Sequence, residues 1–336
     1  MDDASESVGL VFLCDNIFDF TTISGAFFIV IFILSLTGNG LLLCLLFIYE
    51  NLKNVNNLFV LNVACSDLVF TLSLPFWAVY YLHHWVFGDF LCKCITAAYH
   101  IGVYSSIILL TAMTVDRFLT VVLNTGRPKR QLYAVCTCVA AWLISIAASL
   151  RDVISVTAET DENNYTWCDD LSEGQGVKLG YYLQVSLLFF LPLAIIVLCY
   201  SAILKTLLQR PNRLKHRATV VVVLCIVAAF FLCWGPFHML IFTATFYKPI
   251  ECDAQELFEI AYSVCRILAY SHCCVNPLLY MMSRTLRKHL SHLLSCKNPG
   301  ERTNNKKRGA SGTSVYQNVS MIAQNSAEEL EMQSKK

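Results

Sequence analysis

Four ionisable side chains sit within or at the edge of long apolar stretches, where charge is costly and each such residue is a functional candidate. Asp67 lies in the middle of one stretch, Asp116 and Arg117 adjoin at the end of another, and Arg266 interrupts the last. Asp67 needs a partner or a cavity. Asn39, Ser106 and Asn276 fall at comparable depth in other stretches. With Asp67 they can hold a sodium ion or waters, or form a polar network with no ion. Asp116 and Arg117 can pair in one state and separate in another, as a bistable switch requires. Simple anchoring at a cytoplasmic boundary would account for Arg117 equally well. No Ser/His/Asp arrangement, metal-ligand spacing or phosphate loop stands out. His272, with Cys273 and Cys274, lies inside an apolar stretch and reads as a packed histidine rather than a zinc ligand. Neither an enzyme nor a structural metal site is expected.

The elements that must position these residues follow from the composition. Of 336 residues, 56% are apolar and 15% charged, against about a quarter charged in soluble domains. The apolar excess calls for lipid. Runs of roughly 20 uncharged residues, the length that crosses the hydrocarbon layer, recur seven times. They place spans at about 22–49, 55–83, 93–118, 131–156, 178–204, 217–246 and 256–282. Only helices satisfy the backbone there. The expected fold is an all-α membrane protein, a seven-transmembrane helix bundle over 22–283. A short amphipathic eighth helix at 284–296 and a disordered cytoplasmic tail at 297–336 follow. No repeat relates the two halves, which weighs against a transporter. A channel would call for more charges along a pathway.

Charge fixes the orientation. Lys53, Arg127, Lys129, Arg130, Arg210, Arg213, Lys215, Arg217, Arg287 and Lys288 follow runs one, three, five and seven. The opposite side carries acids, among them Asp161, Glu162, Asp169, Asp170, Glu251 and Asp253. The positive-inside rule puts the N-terminus outside, with 1–21 as an extracellular acidic tail, and the C-terminus in the cytoplasm. The start is acidic and lacks a basic n-region, so the first run is expected to act as an uncleaved anchor. The acidic outer face suits electrostatic capture of a basic ligand, although solvated loops are often acidic too. A net charge of +1 gives no sign of a nucleic-acid partner.

Sixteen cysteines divide by compartment. Cys14, Cys92, Cys94, Cys168 and Cys252 lie on or near the oxidising side, which allows at most two bridges and leaves connectivity open. Asn164-Tyr165-Thr166 is a glycosylation triplet on the outer side. Asn318-Val319-Ser320 matches too, but on the inner side.

Motifs in order along the chain carry a family resemblance. Gly38-Asn39, Asn62-Val63-Ala64-Cys65-Ser66-Asp67-Leu68, Asp116-Arg117-Phe118, Trp142, Pro192 with Tyr200, Cys233-Trp234-Gly235-Pro236 and Asn276-Pro277-Leu278-Leu279-Tyr280 fall one group per span. Together they resemble the signatures of rhodopsin-like G-protein-coupled receptors, with Phe118 where Tyr is usual. Ser73-Leu74-Pro75-Phe76-Trp77, Trp85-Val86-Phe87-Gly88 and Ser271-His272-Cys273-Cys274 are similar to chemokine receptor motifs. Arg266 stands where many members carry Glu, Arg151 where many carry Pro, and the N-terminal tail has no Tyr to sulfate. Cys265-Arg266-Ile267-Leu268-Ala269, with Gly88-Asp89-Phe90-Leu91-Cys92-Lys93 and Tyr104-Ser105-Ser106-Ile107, resembles the XC-type (lymphotactin) branch.

That resemblance implies a plasma-membrane, multi-pass chemokine receptor. It implies bridges Cys92–Cys168 and Cys14–Cys252, with Cys94 free. A chemokine N-terminus would enter among Trp77, Tyr99, Trp234, Phe237, Arg266 and Tyr270. Pro192, Pro236 and Pro277 each remove a helical hydrogen bond and permit kinks. The switch would comprise Asp116, Arg117, Tyr200, Trp234, Asn276, Pro277 and Tyr280, opening an inner groove for a heterotrimeric G protein of the inhibitory class, with calcium signalling and cell migration downstream. Ser311, Thr313, Ser314 and Ser320 are candidate sites for receptor kinases and hence arrestin, and Cys296 for palmitoylation. The alternative is a scavenger that binds chemokine without signalling.

Overall fold

A computed structural model describes residues 20–123, 129–162, 164–170, 182–183, 185–209, 217–246, 251–281 and 289–291. The helices are α1 (Phe20–Tyr49), α2 (Val55–Thr71), α3 (Leu74–Leu82), α4 (Gly88–Val121) and α5 (Arg130–Ser155). The strands β1 (Val156–Thr160) and β2 (Thr166–Asp170) follow. A π-helical turn at Ser186–Phe190 then leads into α6 (Leu191–Gln209), followed by α7 (Arg217–Phe246), α8 (Cys252–Tyr270) and α9 (His272–Met281). Six membrane crossings are long and apolar enough by themselves: α1, α2 with α3, α4, α5, the π turn with α6, and α7. The seventh is α8 with α9, and the chain is a seven-helix membrane bundle. His289–Ser291 are helical, and the rest of the expected eighth helix lies outside the described residues.

The π-helical turn lies just ahead of Pro192, and other helix breaks fall away from Pro236 and Pro277. Pro236 and Pro277 lie inside unbroken helices. The second crossing breaks at Leu72–Ser73, ahead of Pro75, and the seventh at Ser271. At both breaks a serine hydroxyl shares a carbonyl with its own backbone N–H: Ser73 Oγ donates to Phe70 O at 2.7 Å and Ser271 Oγ to Leu268 O at 2.6 Å. Such local bonds compete with the helical ladder. Pro277 acts differently. It has no N–H for the carbonyl of Cys273 four residues back, and Asn39 Nδ2 on α1 donates to that carbonyl at 2.9 Å. The proline's missing bond thus becomes a tie between the first and last crossings.

Two glycines set close geometry. Gly88 starts α4 at φ 76, a conformation that favours glycine, and its carbonyl accepts the Trp85 indole N–H at 2.9 Å. Gly102 lets α4 touch α2: a Cβ there would lie 2.6 Å from Phe70 Cβ. Ser66 Oγ also donates to the Gly102 carbonyl at 3.1 Å. Trp142 Nε1 donates to Asn62 Oδ1 at 3.1 Å and ties α5 to α2.

β1 and β2 form an antiparallel hairpin, with Ala158 opposite Cys168. Cys92 and Cys168 are disulfide-bonded and lock the hairpin to α4. They are buried with Trp85, Ile95 and Val156. Cys94 is free and exposed, because two helical residues turn the side chain by about 200°. Cys252 is disulfide-bonded, while Cys14 lies outside the described residues. Asn164 is exposed in the hairpin's loop, at φ 60. The cytoplasmic serines, Thr313, Cys296 and Asn318 lie outside the described residues.

Candidate functional site

The outer cavity, about 470 Å³, opens between α3, α4, the hairpin, α7 and α8. Of the six side chains expected to meet a ligand, Trp77, Tyr99, Phe237, Arg266 and Tyr270 line it. Trp234 does not. It lines a second, deeper cavity of about 130 Å³ that shares Tyr99, His100, Asp152 and Phe237 with the first. Trp234 therefore lies below the mouth, with ring centroids 6.4 Å from Tyr99 and 6.3 Å from Tyr270.

Arg266 is buried in a cage of rings. Its guanidinium carbon lies 4.0 Å from the Tyr81 centroid, 5.2 Å from Tyr262 and 5.7 Å from Phe28. Nη1 donates to the Tyr81 hydroxyl, and Nε is buried without a hydrogen-bond partner among the described residues. Among the described residues no carboxylate forms an ion pair with it. Ring quadrupoles thus carry part of the stabilisation that a carboxylate would otherwise supply. The sequence marked Arg266 as expensive but held no sign of the cage, because Tyr81 and Tyr262 sit at ordinary helix-packing positions.

The same cavity carries three carboxylates, Asp152, Asp169 and Asp170. Asp152, at the end of α5, accepts from the Tyr104 hydroxyl at 3.1 Å, and His100 Nε2 lies 3.9 Å away. Neither Asp152 nor His100 stands out in the sequence, because Asp152 adjoins Arg151 where the fourth apolar run ends. The cavity therefore has a cationic side on α8 and an anionic side on α5 and β2.

Below it, aromatic contact continues inward. Phe70 packs on Tyr270 with centroids at 5.3 Å and on His272 at 4.9 Å, and Trp234 lies 5.4 Å from His272. His272 Nε2 is 3.9 Å from Asp67 Oδ1. Asp67 is 1% exposed. It accepts from Ser106 Oγ at 3.2 Å and Asn276 Nδ2 at 2.8 Å. Three of the four expected network members thus meet directly. Asn39 does not reach Asp67; it donates to Cys273 O and to Ser35, whose hydroxyl is 2.6 Å from that of Thr71. His272 is packed, as its sequence position suggests, but it also belongs to the network. Asn39 Oδ1 and Asn276 Oδ1 are buried without partners, an oxygen-rich set that suits a hard cation.

At the inner end, Asp116 and Arg117 are not paired with each other. Arg130 Nε and Nη2 donate to the two Asp116 oxygens at 2.9 and 2.6 Å, a bidentate geometry among the stronger side-chain pairs. Arg117 instead donates through Nη2 to Asn56 Oδ1 on α2, and its Nε is buried without a partner. Tyr200 is buried, and the Tyr280 hydroxyl faces Met113 Sδ at 4.0 Å. Pro277 and Asn276 lie about one turn above Tyr280 on α9. The sequence placed Arg130 only as a loop cation, since nothing local links it to a carboxylate on another helix.

The family model for 7 transmembrane receptors (rhodopsin family) matches residues 38–280. Over 273 residues the chain is 40% identical to chemokine XC receptor 1 of Homo sapiens, covering 79% of each chain. It is 37% identical over 291 residues to chemokine XC receptor 1 of Mus musculus, covering 84% of this chain and 87% of that one. It is also similar to C-C chemokine receptor type 1 of Homo sapiens, at 34% over 278 residues, 78% of this chain and 77% of the other.

Proposed function

The chain belongs to the rhodopsin family of seven-transmembrane receptors and, within it, to the chemokine receptors, and from that premise we propose how it captures a ligand and signals. It is a multi-pass plasma-membrane receptor and not an enzyme. The proposed ligand is an XC-type chemokine, and capture has two parts. The acidic outer surface steers the folded basic body of the ligand. The flexible ligand N-terminus then enters the outer cavity. Its cationic groups lie toward Asp152, Asp169 and Asp170, and an acidic or carbonyl group lies against Arg266.

The observation that carries this reading is the buried Arg266 in its aromatic cage, with Nε unpartnered among the described residues, on a largely aromatic cavity that also carries three carboxylates. Signal passes inward along Tyr99, Trp234, Tyr270 and His272 toward Asp67. A sodium ion held by Asp67, Ser106 and Asn276 would stabilise one arrangement of these helices. Release of Asn56 by Arg117 opens the inner end to a heterotrimeric G protein of the inhibitory class, driving calcium release and migration. Receptor kinases and arrestin act afterwards on the cytoplasmic tail.

The decisive experiment measures G-protein activation in transfected cells against a chemokine panel that includes XC-type ligands, with binding followed in parallel. Activation by an XC-type ligand is expected. Arg117→Ala is expected to abolish it while surface binding persists. Binding without activation in the unmodified chain would make it a scavenger, and no binding at the cell surface would reject the ligand class.

A further inference from the structure

A crevice of about 430 Å³ runs along the outside of α4, α5 and α6; ligand capture does not use it, and it meets the inner switch at Asp116 and Arg130. Ala112 and Ala134 line it together with Ile108, Val115, Pro192 and Ile195. Along α5 it reaches from Arg130 to Thr137, seven residues or about 10 Å of rise. Its lower end is polar, made by Asp116, Arg130 and the exposed Tyr133.

We propose that this crevice binds an anionic phospholipid of the cytoplasmic leaflet, whose phosphate competes with Asp116 for the Arg130 guanidinium. Three observations support that occupant. Arg130 is the first residue of α5, at the cytoplasmic end, so it sits at headgroup level. The Arg130 side chain is 35% exposed and, among the described residues, uses Nε and Nη2 on Asp116, leaving further N–H donors of its fork for a phosphate. Lys129 beside it is exposed as well, and the cytoplasmic leaflet is the anionic one. The apolar walls above the guanidinium then take the upper part of an acyl chain.

The site would act on the switch. Asp116 is adjacent to Arg117 and is occupied by Arg130. A lipid phosphate that draws Arg130 away frees the Asp116 carboxylate to pull Arg117 from Asn56. Leaflet charge would thereby set how firmly the inner end is held. This inference is independent of the chemokine assignment and needs only the membrane orientation.

The test uses the purified full chain in mixed micelles with equal phosphatidylserine and phosphatidylcholine of matched acyl chains, with retained lipid counted by native mass spectrometry. Phosphatidylserine should be preferred by on the order of fivefold, as expected for one basic side chain near an anionic surface. Arg130→Gln should erase the preference. Lys53→Gln, which removes another exposed cytoplasmic cation away from the crevice, should leave it intact. Ala112→Phe, which fills the crevice and spares the ion pair, should reduce retention of both lipids. This second variant decides the question if Arg130→Gln fails to fold. Equal retention by the unmodified chain, an equal loss in Lys53→Gln, or full retention in Ala112→Phe would overturn the proposal.

Discussion

Arg266 in the outer half and Arg117 in the inner half are both buried arginines within membrane crossings, and they are held by opposite means. Arg266 lies among the rings of Phe28, Tyr81 and Tyr262, with a phenol hydroxyl as acceptor. Arg117 donates to the Asn56 amide, and the carboxylate beside it is taken by Arg130. Aromatic faces stabilise a cation without consuming its directional hydrogen bonds. Arg266 therefore keeps donor capacity facing a cavity. The amide acceptor at Arg117 is weaker than a carboxylate and is exchangeable for one nearby. On the proposed reading, Arg266 receives a group from outside the chain and Arg117 changes partners within it.

The strongest attempt to break this contrast is Arg266→Glu. If the outer arginine receives a ligand group, the reversal should weaken binding by roughly 2–5 kcal/mol, read by displacement of labelled XC-type chemokine at intact cells. Unchanged affinity would make Arg266 a packing residue. The inner half is probed by Asn56→Ala, which removes Arg117's acceptor. Ligand-independent nucleotide exchange should rise about fivefold or more, the lower end of allosteric couplings, while ligand affinity changes less. A fall in basal exchange would mean that Asn56 supports the active arrangement. The contrast is sharpened most finely by Tyr81→Phe, which keeps the ring over Arg266 and deletes only the hydroxyl. It should cost about 1 kcal/mol of binding, and Tyr81→Leu, which also removes the ring, should cost more. Equal effects would locate the stabilisation in the hydrogen bond rather than the ring face.

What could be read from the sequence was what membrane burial makes expensive. Asp67 and Arg266 interrupt apolar runs and Arg117 ends one, and all three are buried. Their partners were less visible, because a partner on another helix leaves no local trace. Arg130 looks like any loop cation until α5 brings it to Asp116, and Tyr81 and Tyr262 look like any packing aromatic. Cys92 and Cys94 were equal candidates for the bridge by composition, and the helical turn between them separates them. The break at Ser271 was hidden by Pro277, the stronger conventional signal. Pro277 spends its missing hydrogen bond on Asn39 and leaves α9 unbroken.

The contact of Gly102 with Phe70 constrains more than packing. There is no room even for a methyl group between α2 and α4 at this point, and α5 is tied to α2 through Trp142 and Asn62. The crevice of about 530 Å³ between α6 and α7, by contrast, is walled almost wholly by aliphatic side chains. The two flanks are therefore joined differently: one by direct backbone contact and a side-chain hydrogen bond, the other across an aliphatic gap, and one missing Cβ makes that difference.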